Sequence, residues 1–350
     1  MELDDRKKRV LQAIVDDYVA TNEPVGSKSL IERHNFRVSS ATLRNDMAEL
    51  ERLGFIEKPH TSAGRIPSDL GYREYVDSLM KIDTLTQKEQ QEIESNISCT
   101  VDEAAELIKS ATHTLSEATG FISLSMSPRL QKSFLKQIKI LMIEPGKALV
   151  VLVLSAGVVK DKIVRIPNFI TDEQMIKISG AIEKNLTGKP LDEITLVTVE
   201  TAAKDTEIPS GILRQVLYEA YTAIKQADQL SIYLEGEHKM LAFPDFSSMG
   251  RARDLLGTLS DSGMVAGYVN EMENQAQVSG KKDSYMIRIG QEITLEGLDD
   301  CSFITATYNM GDTVSGNIGV IGPKRMDYSR VISKMDFVKK KLNEELKKLT

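Results

Sequence analysis

The sequence predicts an α+β protein, and three observations carry that expectation. Apolar residues recur at helical spacing through most of the first fifty or so residues. Three β-rich runs (137–143, 148–154 and 158–166) are joined only by tight turns at Pro145-Gly146 and Ala156-Gly157, which predicts an antiparallel meander. A long periodic segment, with Val331, Ile332, Met335, Val338, Leu342 and Leu346 on one face, predicts a helix over 327–349.

In chain order, the first helix starts after Asp4 and turns Val10, Leu11, Ile14, Val15 and Tyr18 inward. Thr21-Asn22-Glu23-Pro24 ends it, because the residue before a proline is pushed out of the helical region. Ser27 is the expected N-cap of a short second helix over 28–34, with Leu30 and Ile31 inward. After the turn His34-Asn35-Phe36-Arg37, Val38-Ser39-Ser40 opens a third helix that runs to Leu53 and is stopped by Gly54. Residues 55–59 and 64–67 are short extended pieces around the turn His60-Thr61-Ser62-Ala63. Helix, helix, turn, helix, hairpin is the order of a winged helix-turn-helix.

Residues 70–82 continue helical, Thr84-Leu85-Thr86 breaks the run, and 87–96 form a polar helix. Val101, Ala104, Ala105, Ile108, Ala111 and Leu115 mark a strongly periodic helix ending at Gly120. Beyond the meander, helices are expected over 171–186, 211–227 and 247–259, with a short strand over 231–234 and a turn at Phe243-Pro244. Residues 301–308 and 315–321 read as strands of the meander's own sheet, which makes the stretch 188–277 an inserted α+β subdomain.

Composition bounds the function. The 350 residues suggest two or three domains, and 41% apolar with 27% charged residues is an ordinary soluble composition. The first twenty residues mix acids and bases, so no secretory signal is expected; the longest apolar stretch, 148–159, is too short to span a membrane. Cys99 and Cys301 are remote in sequence, which argues against a disulfide framework and a thiolate metal site. A cytoplasmic protein is expected. Its net charge of −7, with 12 Lys and Arg against 14 Asp and Glu in the first eighty residues, is not a nucleic-acid binder's at first sight. A footprint on DNA depends on which face carries the charges, not on their sum.

Placing the third helix at 100° per residue puts Met47 and Leu50 within about 40° of Leu43, forming the core stripe. The opposite face carries Ala41, Arg44, Asn45, Ala48 and Arg52. Small residues allow close approach to a groove, arginine pairs bidentately with guanine, and asparagine with adenine. Ser39, Ser40 and Thr42 at the helix start are placed to donate to phosphate. In the hairpin, Lys58, His60 and Arg65 flank the small tip Thr61-Ser62-Ala63-Gly64, suited to phosphate or the minor groove.

Catalysis has weaker support. His34, His60, His113 and His238 are scattered without a second ligand at metal spacing, so no metal is expected. The glycines of Gly316-Asn317-Ile318-Gly319-Val320-Ile321-Gly322 have the spacing of a phosphate loop but alternate with apolar residues inside an expected strand. No nucleophile-base arrangement or carboxylate pair converges on a nameable pocket. Neither an enzyme nor a cofactor is expected.

The segments VDDYVATNEPVGSKSL and RVSSATLRNDMAELERLGFIEKPHTSAGRIPSDLGYREYVD closely resemble the heat-inducible transcription repressor HrcA family. IYLEGEHKMLAFPDF (232–246) and IGVIGPKRMDYSRVI (318–332) resemble family segments too, so the likeness spans essentially the whole chain. It implies a repressor that binds an inverted-repeat operator upstream of chaperone operons as a homodimer, kept active by the GroE chaperonin. It also implies three domains: a winged-helix DNA-binding domain with linker helix over 1–83, a GAF-like antiparallel-sheet domain over 84–187 and 278–350, and a dimerisation insert over 188–277. The alternative is a small-molecule-responsive GAF-type regulator with the winged helix as its output, because such pockets have no universal residue signature.

Overall fold

The computed structural model describes residues 3–60, 63–97, 104–130, 133–155, 157–204, 210–227, 230–278, 285–310 and 314–349. The Asp4 carboxylate accepts the Lys7 N–H at 2.9 Å and starts α1 (Asp5–Thr21), which ends where Asn22 turns left-handed at φ 56°. Gly26, rather than the expected Ser27, precedes α2 (Ser27–His34): the Ser29 hydroxyl accepts the Gly26 N–H at 3.2 Å. Ser39 caps α3 (Ser40–Arg52) by accepting the Thr42 N–H at 3.1 Å. An antiparallel hairpin of β1 (Ile56–Glu57) and β2 (Ile66–Pro67) follows. Leu11, Ile14, Leu30, Leu43, Leu50 and Ile56 are buried together, so three helices and a hairpin share one core.

The helix expected over 70–82 is shorter and changes pitch. α4 (Asp69–Glu74) passes into one π-helical turn, Tyr75–Leu79, and the chain turns extended at Met80. No residue type announces that change. α5 (Gln87–Ile97) and α6 (Ala104–Thr119) follow; Val101, expected in the second of them, lies outside the described residues.

The sequence predicts three strands directly after α6, but another comes before them: β3 (Ile122–Met126), entirely buried. The meander then forms as expected from β4 (Leu135–Glu144), β5 (Lys147–Leu154) and β6 (Val159–Arg165). α7 (Asp172–Leu186) is capped by Thr171, whose hydroxyl accepts the Gln174 N–H while the Gln174 side chain accepts the Thr171 N–H. Next come α8 (Leu196–Ala202), α9 (Ser210–Ala227), β7 (Ile232–Glu235), α10 (Glu237–Met240), α11 (Met249–Ser260) and α12 (Ser262–Val278). β8 (Met286–Ile289), β9 (Cys301–Met310), β10 (Val314–Pro323) and α13 (Tyr328–Leu349) complete the order.

Sheet membership corrects the sequence-based expectation. The meander is a separate three-stranded sheet in the order β4-β5-β6. The late strands belong to a five-stranded antiparallel sheet, β7-β3-β10-β9-β8. β7 falls inside the stretch 188–277 expected to be an insertion, yet it pairs with β3 from Ser123↔Glu235 to Met126↔Ile232. Alternation shows that a segment is a strand, but pairing with residues a hundred positions away leaves no local mark. One face of the large sheet carries α6 and α13, with Ser125 hydrogen-bonded to Thr112 and Ser302 to Tyr328. The other carries α12, whose Tyr268 stacks on Phe303 at 5.7 Å. The glycine run lies inside β10, where a Cβ on Gly316 would stand 2.4 Å from the Tyr308 hydroxyl. These glycines admit close packing rather than phosphate.

In the small sheet, Ile138, Ile140, Val150, Leu152 and Val164 are buried on the side of α7 and α9. Among the described residues no helix covers the opposite face. There Leu141, Leu149 and Ile163 lie side by side across the three strands, and Leu141, Ile143, Val159 and Ile163 are each more than half exposed.

Candidate nucleic-acid interface

The third helix arrives at its surface chemistry by sorting its charges. Its core stripe Leu43, Met47 and Leu50 is buried as the helical spacing requires, with Leu53 half-buried at the end. Its acids are all engaged by neighbouring elements. Asp46, nearly fully buried, accepts two hydrogen bonds from Arg6 of α1 at 2.7 and 2.9 Å. Glu49 pairs with Lys7 of α1 at 3.1 Å, and Glu51 with Arg65 at the approach to β2 at 2.6 Å. The remaining face holds Ala41, Arg44, Asn45, Ala48 and Arg52, all exposed. Among the described residues no carboxylate pairs with Arg44 or Arg52. Three acids and two bases in one helix would nearly cancel. Placed this way, they leave a positive outer face about 12 Å long between the two arginines.

The hydroxyls at the helix start are more committed than their sequence positions suggest. Ser39 is the N-cap, and its oxygen also lies 2.9 Å from the Thr42 hydroxyl. Ser40 is half-buried, 3.0 Å from the Ser27 hydroxyl of α2. Ser40 therefore ties the two helices together and offers less to a phosphate than its position promised. Two cations flank this end and were not singled out from sequence, Lys28 at the start of α2 and Arg37 in the turn before α3. Neither has a partner among the described residues. Their proximity to a helix N-terminus was the available signal.

The hairpin divides its expected contacts. Lys58 and His60 are exposed on its ascending arm; Thr61 and Ser62 lie outside the described residues. Arg65 differs from the phosphate-positioning role expected of it. Its Nε and one terminal nitrogen donate to Glu51 at 2.9 and 2.6 Å, and its backbone exchanges two 2.8 Å hydrogen bonds with Val25. The guanidinium is mostly buried, so Arg65 anchors the hairpin to α3 and to the entrance of α2. Gly64 permits that approach, since a Cβ there would stand 2.6 Å from the Val25 carbonyl. Of the other histidines, His34 is hydrogen-bonded to Asp17 of α1 at 2.9 Å and His113 to Glu235 at 3.3 Å.

A family signature described as the HrcA protein C terminal domain matches residues 105–332. The chain is 41% identical over 350 residues to a heat-inducible transcription repressor HrcA of Ruminiclostridium cellulolyticum, covering 100% of this chain and 99% of that one. It is 38% identical to the protein of that name in Acetivibrio thermocellus, over 100% and 98% of the two chains. Among solved structures, a crystal structure of a hypothetical protein at 2.2 Å resolution matches with a TM-score of 0.60 and 22% identity over 99% of both chains. That last likeness is one of fold.

Proposed function

The chain belongs to the heat-inducible transcription repressor HrcA family, and from that premise we propose that it represses heat-shock operons by laying α3 in the major groove of an inverted-repeat operator. The family is one of transcription repressors rather than enzymes. The observation that carries the α3 assignment is its charge sorting: every acid is paired with a neighbouring element, and among the described residues Arg44, Asn45, Ala48 and Arg52 stand free. Residues 3–79 are read as a winged helix-turn-helix, with Lys58 and His60 on the wing. Ser39 and Thr42 are left as the phosphate-side hydroxyls, joined by Lys28 and Arg37. Selection of duplexes from a random pool by the full-length protein tests this reading. Enrichment of one inverted repeat is expected, and no enrichment would defeat it.

One winged helix reads only a few base pairs, so operator specificity calls for two copies. The second copy is placed on the uncovered face of β4-β5-β6, where Leu141, Leu149 and Ile163 form an apolar row. The dimerisation insert is accordingly drawn around the meander with α7, α8 and α9, and the GAF-like domain around the five-stranded sheet. GroE control is supported by the topology of that sheet: pairing strands so remote in sequence is slow and leaves apolar edges exposed meanwhile. Chaperonin with nucleotide should raise the fraction of operator-active protein and leave its intrinsic affinity unchanged. Active-site titration on labelled operator separates the two.

A second reading, the small-molecule-responsive regulator, is favoured by a cavity of about 550 Å³ bordered by Ile108, Tyr233, Val158 and Lys160. A saturable thermal shift with one member of a metabolite panel would support it. No helix among the described residues is long and apolar enough to cross a membrane, and the proposed site of action is the cytoplasm.

A further inference from the structure

The unit that carries α3 is joined to the rest of the chain by one covalent connection, residues 80–86, which by itself would leave the recognition helix free to swing. It does not swing freely, because α4 is clamped on both sides. Toward the hairpin, Gly71 lies so close to the Phe55 carbonyl that a Cβ would be 2.0 Å from its oxygen, and Tyr75 donates to Asp16 of α1 at 2.8 Å. Toward the body, the Asp69 carboxylate accepts the Gln291 N–H at 3.0 Å and pairs with Lys324 at 2.9 Å. Gly290, at φ +54°, makes room for it: a Cβ there would stand 2.1 Å from an Asp69 oxygen. One turn later the Arg73 Nε donates to Glu292 at 2.9 Å and a terminal nitrogen to the Ile287 carbonyl at 2.6 Å. Glu292 is itself held by the Ile289 N–H at 3.0 Å. Between the two polar contacts Tyr72 is buried, 6.0 Å from the Tyr328 ring.

We propose that Asp69 and Arg73, seated on the 287–292 turn and Lys324, are positioning residues for operator recognition, fixing the distance and angle between the two α3 helices of a dimer and so the half-site spacing it accepts. This rests on the dimeric repressor reading above. A single base pair added between half-sites rotates one against the other by about 35° and shifts it by about 3.4 Å. A clamped head cannot follow that change without breaking its contacts, whereas a head on a loose tether can. Neither residue lies on the exposed face of α3, and none of the body residues belongs to the DNA-reading unit, so the contacts to bases are untouched by changes here.

The test uses full-length protein and duplexes it selects from a random pool, rebuilt with spacers shortened or lengthened by one and two base pairs. Affinity is measured for each spacer and for an isolated half-site. Wild type should lose at least tenfold on a change of one or two base pairs. Arg73→Gln and the body-side variants Glu292→Gln and Gly290→Ala should flatten that profile to within about threefold, while half-site affinity stays within about threefold of wild type. Retained half-site binding also shows that the variants are folded. Variants that keep the wild-type profile, or that lose half-site and full-site binding in parallel, would overturn the latch alone. A wild type that binds one half-site as tightly as two would overturn the dimeric reading and this inference with it.

Discussion

At the scale of single residues, two arginines of the N-terminal region have opposite fates, and the difference is measurable. Arg44 projects into solvent, so Arg44→Ala should cost roughly 1–3 kcal/mol of operator binding and relax preference at one base pair, with thermal stability unchanged. Arg65 is bound to Glu51 and mostly buried, so Arg65→Ala should instead lower folding stability by about 1–2 kcal/mol and leave the salt slope of DNA binding near that of wild type. A reduced salt slope with unchanged stability would return Arg65 to the phosphate role. Helical arithmetic on α3 was enough to place Arg44, Asn45, Ala48 and Arg52 on its exposed face, because a face is a local property of spacing. The fates of Arg65 and Ser40 were not legible, since their partners Glu51 and Ser27 are set by how the elements cross. A third residue carries a pH signature. The Thr86 hydroxyl and N–H, with Arg330 beside them, hold the Glu89 carboxyl down at about 2. A depressed carboxylate stabilises the fold above its unfolded pKa and loses that contribution as pH falls through the folded one. The stability gap between wild type and Glu89→Gln, read from urea titrations, should therefore be wide at about pH 5 and narrow as the pH approaches 2.

At the scale of elements, glycines separate tight packing from mere composition. Gly71→Ala would drive a methyl into the Phe55 carbonyl and should cost about 1–3 kcal/mol or more. Gly180, exposed within α7, should show the reverse: an added methyl meets nothing within 4 Å, and Gly180→Ala should stabilise by about 0.5–1 kcal/mol. Equal effects in chemical denaturation would contradict the account of α4 as a pinched helix. Periodicity recovered α1, α3, α6, α7 and α13 to within a few residues, each a long helix with one buried stripe. It did not reveal β3, β8, α8 or α12. In β3 serines alternate with apolar residues yet all five positions are buried, so the usual contrast between a wet and a dry face is absent. The π turn at Tyr75–Leu79 likewise has no signature in its residue types, and its first residue, Tyr75, is hydrogen-bonded to Asp16 across the fold.

At the scale of the whole molecule, the uncovered sheet face makes a firm demand. Replacing Ile163 or Leu141 by lysine places a charge in the apolar row, and sedimentation should show the proposed dimer shifting to monomer. Binding to two half-sites should fall while an isolated half-site is bound as before; a dimer that survives both changes would move the interface elsewhere. That the meander stands apart from the large sheet could not have been read from the sequence, for strands remote along the chain carry no label for their neighbours. The large sheet also keeps time. β3, flanked by β7 and β10, emerges from the ribosome roughly 190 residues before β10, which at ordinary synthesis rates is about 10–40 s. Helices α1 to α3 and the hairpin have their shared core within the first stretch of chain and can be finished long before then. On the proposed dimeric reading, a nascent chain in that interval carries a head able to touch an operator on a body not yet able to pair or to aim it, so repression would wait on the last strand to be translated.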